Sequence, residues 1–216
     1  MTWKGWSERG RRGGLRRAVA ALAALTISAT ALSAVAASYA PGGPMEKTRT
    51  ILEASNKIVT GPGSRDEKLV KLKELLRDFL DTDALGKQSM GKHLDGVTPA
   101  QQARFLDLFR DLFVRTYVQR LLLFEVPDFA YGEERITGDT AFVDTEIVTE
   151  RDRFAVDYKL RKDGKGWLAT DILIEDVSLS SNFRAQFDKA LKQDSFDGLL
   201  DKLDRKLRGK PAAGEL

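Results

Sequence analysis

The sequence of 216 residues contains no cysteine and only one histidine, His93. Without thiols the chain has no disulfide to staple it and no attachment point for a thioether-linked lipid, so it is expected to fold on its core alone and to be soluble after export. With one imidazole and no Asp/Glu cluster at metal-ligand spacing, neither a His-based triad nor a zinc site can be assembled. His93 sits in a Gly91-Lys92-His93 turn and is expected to have a surface or locally bonded role. Glycine-rich phosphate loops are also missing, because Gly61-Pro62-Gly63 and Gly164-Lys165-Gly166 lack the spacing of either nucleotide fingerprint. No internal repeat is visible. Catalysis would have to rest on carboxylates such as Asp171 and Glu175, but carboxylates on a strand are more often surface groups or ion-paired. The reading from residues therefore expects no catalytic residue, no metal, no cofactor and no enzyme, with Asp171 and Arg184 forming a structural ion pair. A carboxylate-based hydrolase stays as the weakest alternative.

The charge balance excludes a further class. The formal net charge is +3 and the isoelectric point is near 9.0, but the first 40 residues hold six basic side chains against one acidic, and without them the charge is −2. Lys and Glu alternate along the remaining helices instead of forming a basic stripe, so nucleic acid is not an expected partner. The basic cluster precedes an apolar run from Ala18 to Leu32 and the small-x-small triplet Ala34-Val35-Ala36. This is the pattern of a secretory signal over residues 1–36, cleaved after Ala36. The run is shorter than the ~20 residues a spanning helix needs. Arg11-Arg12-Gly13-Gly14-Leu15 resembles a twin-arginine signal weakly, which leaves the export route open.

Helical periodicity comes first in the remaining chain. After Pro41-Gly42-Gly43-Pro44 a helix is expected over Met45 to Val59, with Ile51, Leu52, Ile58 and Val59 inward, stopped by Gly61-Pro62-Gly63. Ser64-Arg65-Asp66-Glu67 is a capping box for a second helix carrying Leu69, Leu72, Leu75, Leu76 and Phe79. A short helix or turn follows over Asp81 to Lys92. Thr98-Pro99-Ala100-Gln101 then opens the longest helix, reaching toward Phe124. On it Phe105, Leu108, Phe109, Leu112, Phe113 and Tyr117 spread over about half the circumference. Such a helix touches two neighbours or lines a cavity.

From Phe129 the period changes to two. Strands are expected over Phe129 to Thr137, Thr140 to Thr149 and Arg153 to Arg161, turning at Gly138-Asp139 and Glu150 to Asp152. Ala141, Val143, Thr145 and Ile147 on the second strand, and Phe154, Val156, Tyr158 and Leu160 on the third, make one dry face. Asp163 to Gly166 turns into a fourth strand at Trp167, and a last helix is expected over Ser195 to Leu207, with 208–216 as a flexible tail. Helices followed by strands give an α+β fold, with helices on the apolar face of a four-stranded antiparallel sheet.

The stretch Trp167 to Phe187 organises the rest. Its strand has apolar groups on both faces, as a central strand requires, and Ser178 or Ser180 can cap the helix that carries Phe183 and Phe187. Trp-x-x-x-Asp-Ile-x-Ile-x-x-Val-Ser-Leu-x-x-Asn-Phe-Arg-x-Gln-Phe also resembles the signature of the MlaC-like, or toluene-tolerance, family of periplasmic phospholipid carriers. The resemblance extends over about Met45 to Leu207, the long helix included. One position departs, since Asp176 stands where the family has Gly before Val-Ser-Leu.

On the residues alone, Phe109, Val143, Val156, Tyr158, Leu160, Phe183 and Phe187 pack a core. The resemblance implies instead that residues 45–207 form a single lipid-binding domain, in which helices and a strongly twisted sheet enclose an apolar cavity for glycerophospholipid tails. Its expected lining is Phe109 and Leu112 from the long helix with Val143, Ile147, Val156, Tyr158 and Leu160 from the strands. The implied partners are an inner-membrane ABC transporter complex and an outer-membrane lipoprotein complex, and the implied location is the periplasm. Two alternatives stay open: an interaction or adaptor domain of similar fold with a filled core, and a carrier of hopanoid-related lipid.

Overall fold

Local capping chemistry decides where most of the helices begin. In the computed structural model, residues 40–122, 128–149, 152–164 and 166–209 are described, with the side chains of Arg120 and Leu121 excepted. Helix α1 is Pro44–Thr60 and α2 is Arg65–Arg77. Ser64 caps α2 reciprocally, its hydroxyl accepting from the Glu67 amide at 3.2 Å while the Glu67 carboxylate accepts from the Ser64 amide at 2.7 Å. Helix α3, Thr82–Met90, starts on Asp81, whose carboxylate accepts from the Ala84 amide at 2.8 Å, and a short 3₁₀ segment, Gly91–Leu94, follows it. Thr98 accepts from the Gln101 amide at 3.2 Å at the head of the long helix α4, Pro99–Leu121. The expected signal at 1–36, the segment around Phe124 and the tail from 210 onward lie outside the described residues.

Helix α1 lacks a local side-chain cap, since Gly43 occupies that position. Its first-turn amide at Met45 instead donates to the Glu134 carboxylate, 89 residues away in sequence, at 2.6 Å.

The strands are β1 Asp128–Thr137, β2 Thr140–Val148, β3 Arg153–Asp163, β4 Gly166–Ile174 and β5 Val177–Ser178, antiparallel in the order β1-β2-β3-β4-β5. Helices α5, Leu179–Leu191, and α6, Phe196–Arg208, complete the described chain. The α+β class holds, with six helices among the described residues. The sheet has five strands and not the expected four, because a two-residue hairpin loop at Glu175 and Asp176 returns the chain for one further short strand. Both loop residues are left-handed, with φ of 50° and 64°. That is the backbone of a hairpin turn normally written Asn-Gly, so the sequence did not announce it. Asp176 thus stands at a position where positive φ favours glycine.

The apolar residues of β4 do not mark the expected central strand covered on both faces. Ala169 lies opposite Leu160 and Asp171 opposite Lys159, which leaves one extra residue, Thr170, in the ladder. This bulge shifts the phase of the alternation. Trp167 and Ala169 before it and Ile172 and Ile174 after it therefore all join one core cluster. The strand is next to last in the sheet, and the far edge at Ala169 is covered by the chain leaving α2. There the Ala169 amide donates to the Phe79 carbonyl at 2.7 Å and the Asp81 amide to the Ala169 carbonyl at 2.9 Å.

Candidate functional site

The apolar face of the sheet is built by pairing. Val143 stands opposite Tyr158, Val156 opposite Ile174, and Leu160 opposite both Ala141 and Ala169. Val143 is fully buried and Leu160, Val156 and Tyr158 nearly so, while Ile147 is partly buried and packs on the same cluster. Thr145 interrupts the row with a hydroxyl, which donates to the Val156 carbonyl at 2.5 Å. Phe79 lies across this face, its ring edge-on to Tyr158 with centroids 5.5 Å apart. Burial, helped by the neighbouring Asp157 charge, pushes the Tyr158 hydroxyl above its usual titration range.

Helix α4 supplies the other half. Phe105, Phe109, Phe113 and Tyr117 are spaced four apart and form one ladder of rings, with successive centroids 5.7, 5.9 and 4.5 Å apart. Rings from α5 interleave with it: Phe183 meets Phe109 edge-on at 5.3 Å, and Phe187 meets Phe105 edge-on at 5.5 Å. Helix α3 approaches the same place through Gly86, where an added methyl carbon would come within 3.0 Å of Leu106 and Phe109. The broad apolar fan of α4 is thus divided among several neighbouring helices.

All seven expected lining residues belong to or pack on one apolar cluster. Phe109, Val143, Val156, Tyr158 and Leu160 are buried in it, and Leu112 and Ile147 are partly buried against it. The aromatic share of the cluster is larger than the expected lining. Phe105, Phe113 and Tyr117, spaced four apart with Phe109, were the signal for the ladder, and Phe183 and Phe187 complete it.

Beside this interior stands a polar clasp. Asp171 is 2% exposed, and its carboxylate accepts from the Ser178 hydroxyl at 2.6 Å, the Ser180 hydroxyl at 3.0 Å, the Ser180 amide at 3.1 Å and the Ile172 amide at 3.0 Å. Ser178 also caps α5, its oxygen accepting from the Ser181 amide. The expected Asp171–Arg184 ion pair does not form. The Arg184 guanidinium donates to the Gln88 carbonyl at the end of α3, tying α3 to α5. Satisfied by four donors, Asp171 needs no cation. Nor does Asp171 share a site with Glu175, which accepts from the Ala155 amide at 2.7 Å. His93 is partly buried and bonds Asp188 on α5 at 2.5 Å, a partner 95 residues away and not a local one. Among the described residues no group of three or more His, Cys, Asp or Glu side chains is placed to hold a metal ion, and no helix is long and apolar enough to cross a membrane.

Residues 46–205 match the family model described as MlaC protein. The chain belongs to the MlaC family. The matched span contains both the aromatic ladder and the Asp171 clasp. A solved structure of a phospholipid-binding protein from Ralstonia solanacearum, described as a complex with a phospholipid, has the same fold. It is similar with a TM-score of 0.68 at 24% sequence identity, over 76% of this chain and 96% of the other. No curated protein matches the chain.

Proposed function

We propose that this MlaC-family chain is a periplasmic phospholipid carrier that binds acyl tails between its helices and its sheet and passes the lipid between an inner-membrane ABC transporter complex and an outer-membrane lipoprotein complex. The family match over residues 46–205 carries this reading. The phospholipid bound by the Ralstonia solanacearum protein of the same fold supports it. In this reading residues 1–36 are the cleaved export signal and residues 45–207 act as one lipid-binding domain.

Phe109, Leu112, Val143, Ile147, Val156, Tyr158 and Leu160 line the acyl chamber. Their side chains sit in one cluster, so the helices have to part from the sheet to admit a lipid. Energetics allow this. Each acyl methylene leaving water gains ~0.8 kcal/mol, but a lipid leaving a bilayer is already dry and gains little. A carrier needs only an interior about as apolar as the bilayer, whereby loading and unloading are nearly balanced. Where the aromatic rings separate on opening, acyl chains take their place against the apolar walls, which keeps the exchange close to neutral.

No step needs covalent chemistry, so the activity is binding and transfer and not catalysis. Native mass spectrometry of the protein purified without detergent, with organic extraction of its lipid, tests the proposal. Copurified glycerophospholipid is expected. A hopanoid-related species in its place would redirect the assignment of cargo, and a lipid-free protein that takes up none from vesicles would sink the reading. The packed interior would then favour an adaptor domain with a filled core.

A further inference from the structure

The outward face of the sheet has a concavity of about 630 Å³, on the side opposite the apolar interior. Phe142, Asp144 and Glu146 of β2 alternate with the buried Ala141, Val143 and Thr145, and so point into it. Asp157 of β3 and Asp176 of the β4–β5 turn complete its rim. Its floor is open because three small residues, Ala130, Gly132 and Ala155, stand where longer side chains would fill it. Gly132 lies in a bulge of β1 between Tyr131 and Glu134, and a methyl carbon there would come within 3.1 Å of the Asp144 side chain.

The lining is unbalanced in charge. Four carboxylates face one arginine, Arg135, and that arginine is already engaged. It donates to both oxygens of Asp144 at 2.8 and 2.9 Å and to Glu133 at 2.9 Å, with its guanidinium 4.8 Å from the centre of the Phe142 ring. Glu146 is paired with Arg153. Asp157 and Asp176 have no basic partner among the hydrogen bonds and ion pairs of the described residues. Burial, with the charges of Asp144 and Asp176 adding to it, raises the Asp157 carboxyl above its usual range, against the lowering pull of the Thr145 amide and Arg135.

We propose that this groove is a docking site for a short cationic segment of a partner protein, whose Lys or Arg side chains reach Asp157 and Asp176. Arg135 shows the chemistry in place: its guanidinium is held between a carboxylate and an aromatic face. A guest cation finds in the same groove carboxylates that have no basic partner among the described residues, and its aliphatic stem finds the small apolar floor. Anionic membrane surfaces and nucleic acid are repelled by the same charge. Because the groove lies behind the sheet, a partner seated there leaves the apolar interior free.

The test is fluorescence anisotropy with a labelled nonapeptide of alternating Arg and Ala, and a Glu–Ala counterpart as the negative probe. The wild-type protein is expected to bind the cationic peptide at low salt and to release it as salt rises. Asp157→Asn/Asp176→Asn is expected to weaken that binding roughly tenfold. Asparagine tolerates the left-handed turn position and keeps the acceptor for the Thr145 amide, so the fold is retained. The equal-charge control Glu74→Gln/Asp111→Asn, on exposed helix positions, is expected to bind as wild type. An equal loss in the control, an unaffected groove variant or no binding by wild type overturns the proposal. So does groove-dependent self-association in sedimentation, or groove-dependent binding of phosphatidylglycerol vesicles, each of which would give the groove a different occupant.

Discussion

The Ser178 hydroxyl donates to the buried Asp171 carboxylate at 2.6 Å, and through that one bond β5, the start of α5 and the core strand β4 are held together. Ser180 adds its amide and hydroxyl to the same carboxylate. Asp171→Ala would remove the acceptor of two hydroxyls and two amides in a nearly dry site. It is expected to cost ~2 to 4 kcal/mol, read from the urea midpoint. Asp171→Asn keeps one acceptor oxygen and should cost less. Equal losses would show that the site is wet enough for water to replace the carboxylate.

Asp176 is held at φ 64° in the hairpin turn before β5. Asp176→Gly removes that strain at some cost in unfolded-state entropy, for a net gain of ~0.5 to 1 kcal/mol. Calorimetry should show the melting temperature rising by about 1 to 4 °C. A fall would mean that the Asp176 side chain contributes more than its backbone costs.

The raised Asp157 carboxyl has a defined pH signature. The folded chain holds this proton more tightly than the unfolded chain does, so the charged group opposes folding above its folded-state pKa. That cost is relieved as pH falls through the raised value. Asp157→Asn should therefore be more stable than wild type at neutral pH, with the gain shrinking toward pH ~4. Urea midpoints of both proteins across pH decide this, and a difference independent of pH would remove the assignment.

Trp167 is 6% exposed, opens β4 and has the Lys162 ammonium 5.9 Å from its ring centre. Trp167→Ala is expected to cost ~3 to 5 kcal/mol. An unchanged denaturation midpoint would move the indole from the core to a contact role.

Val143→Trp or Val156→Trp probes the proposed acyl chamber. If the interior opens to admit lipid, either indole should reduce copurified phospholipid several-fold while thermal unfolding stays cooperative. In an interior that never opens, the same insertion overpacks it and destabilises by ~1 to 3 kcal/mol or more. Native mass spectrometry together with thermal unfolding separates the two outcomes.

What was legible in the sequence was local. Ser64, Thr98 and Ser178 cap the helices they were expected to cap, because a cap and its amide lie three residues apart. The Gly138-Asp139 hairpin was equally visible, with Thr137 paired to Thr140 across it. Features that depend on register were not visible. A single extra residue at Thr170 made β4 read as a strand with two apolar faces, since alternation in sequence cannot show where a ladder slips. Pairings across many residues were hidden for the same reason: Arg184 binds Gln88 and not Asp171, and His93 binds Asp188. Of the candidate site, periodicity showed which residues face the apolar interior, and only the family resemblance implied an acyl chamber there. The spacing of Phe105, Phe109, Phe113 and Tyr117 was also visible, but the interleaving of Phe183 and Phe187 from α5 was not.

The bond from the Met45 amide to Glu134 also sets an order of events. Helix α1 is the first described element to be synthesised, yet the carboxylate that completes its amino-terminal turn arrives only with β1. A nascent chain cannot lock its own beginning until the first strand has been made. Closing so wide a loop before any reward slows folding. For a polypeptide exported as proposed here, that delay leaves the first turn of α1 without its long-range partner while the rest of the chain is still being made.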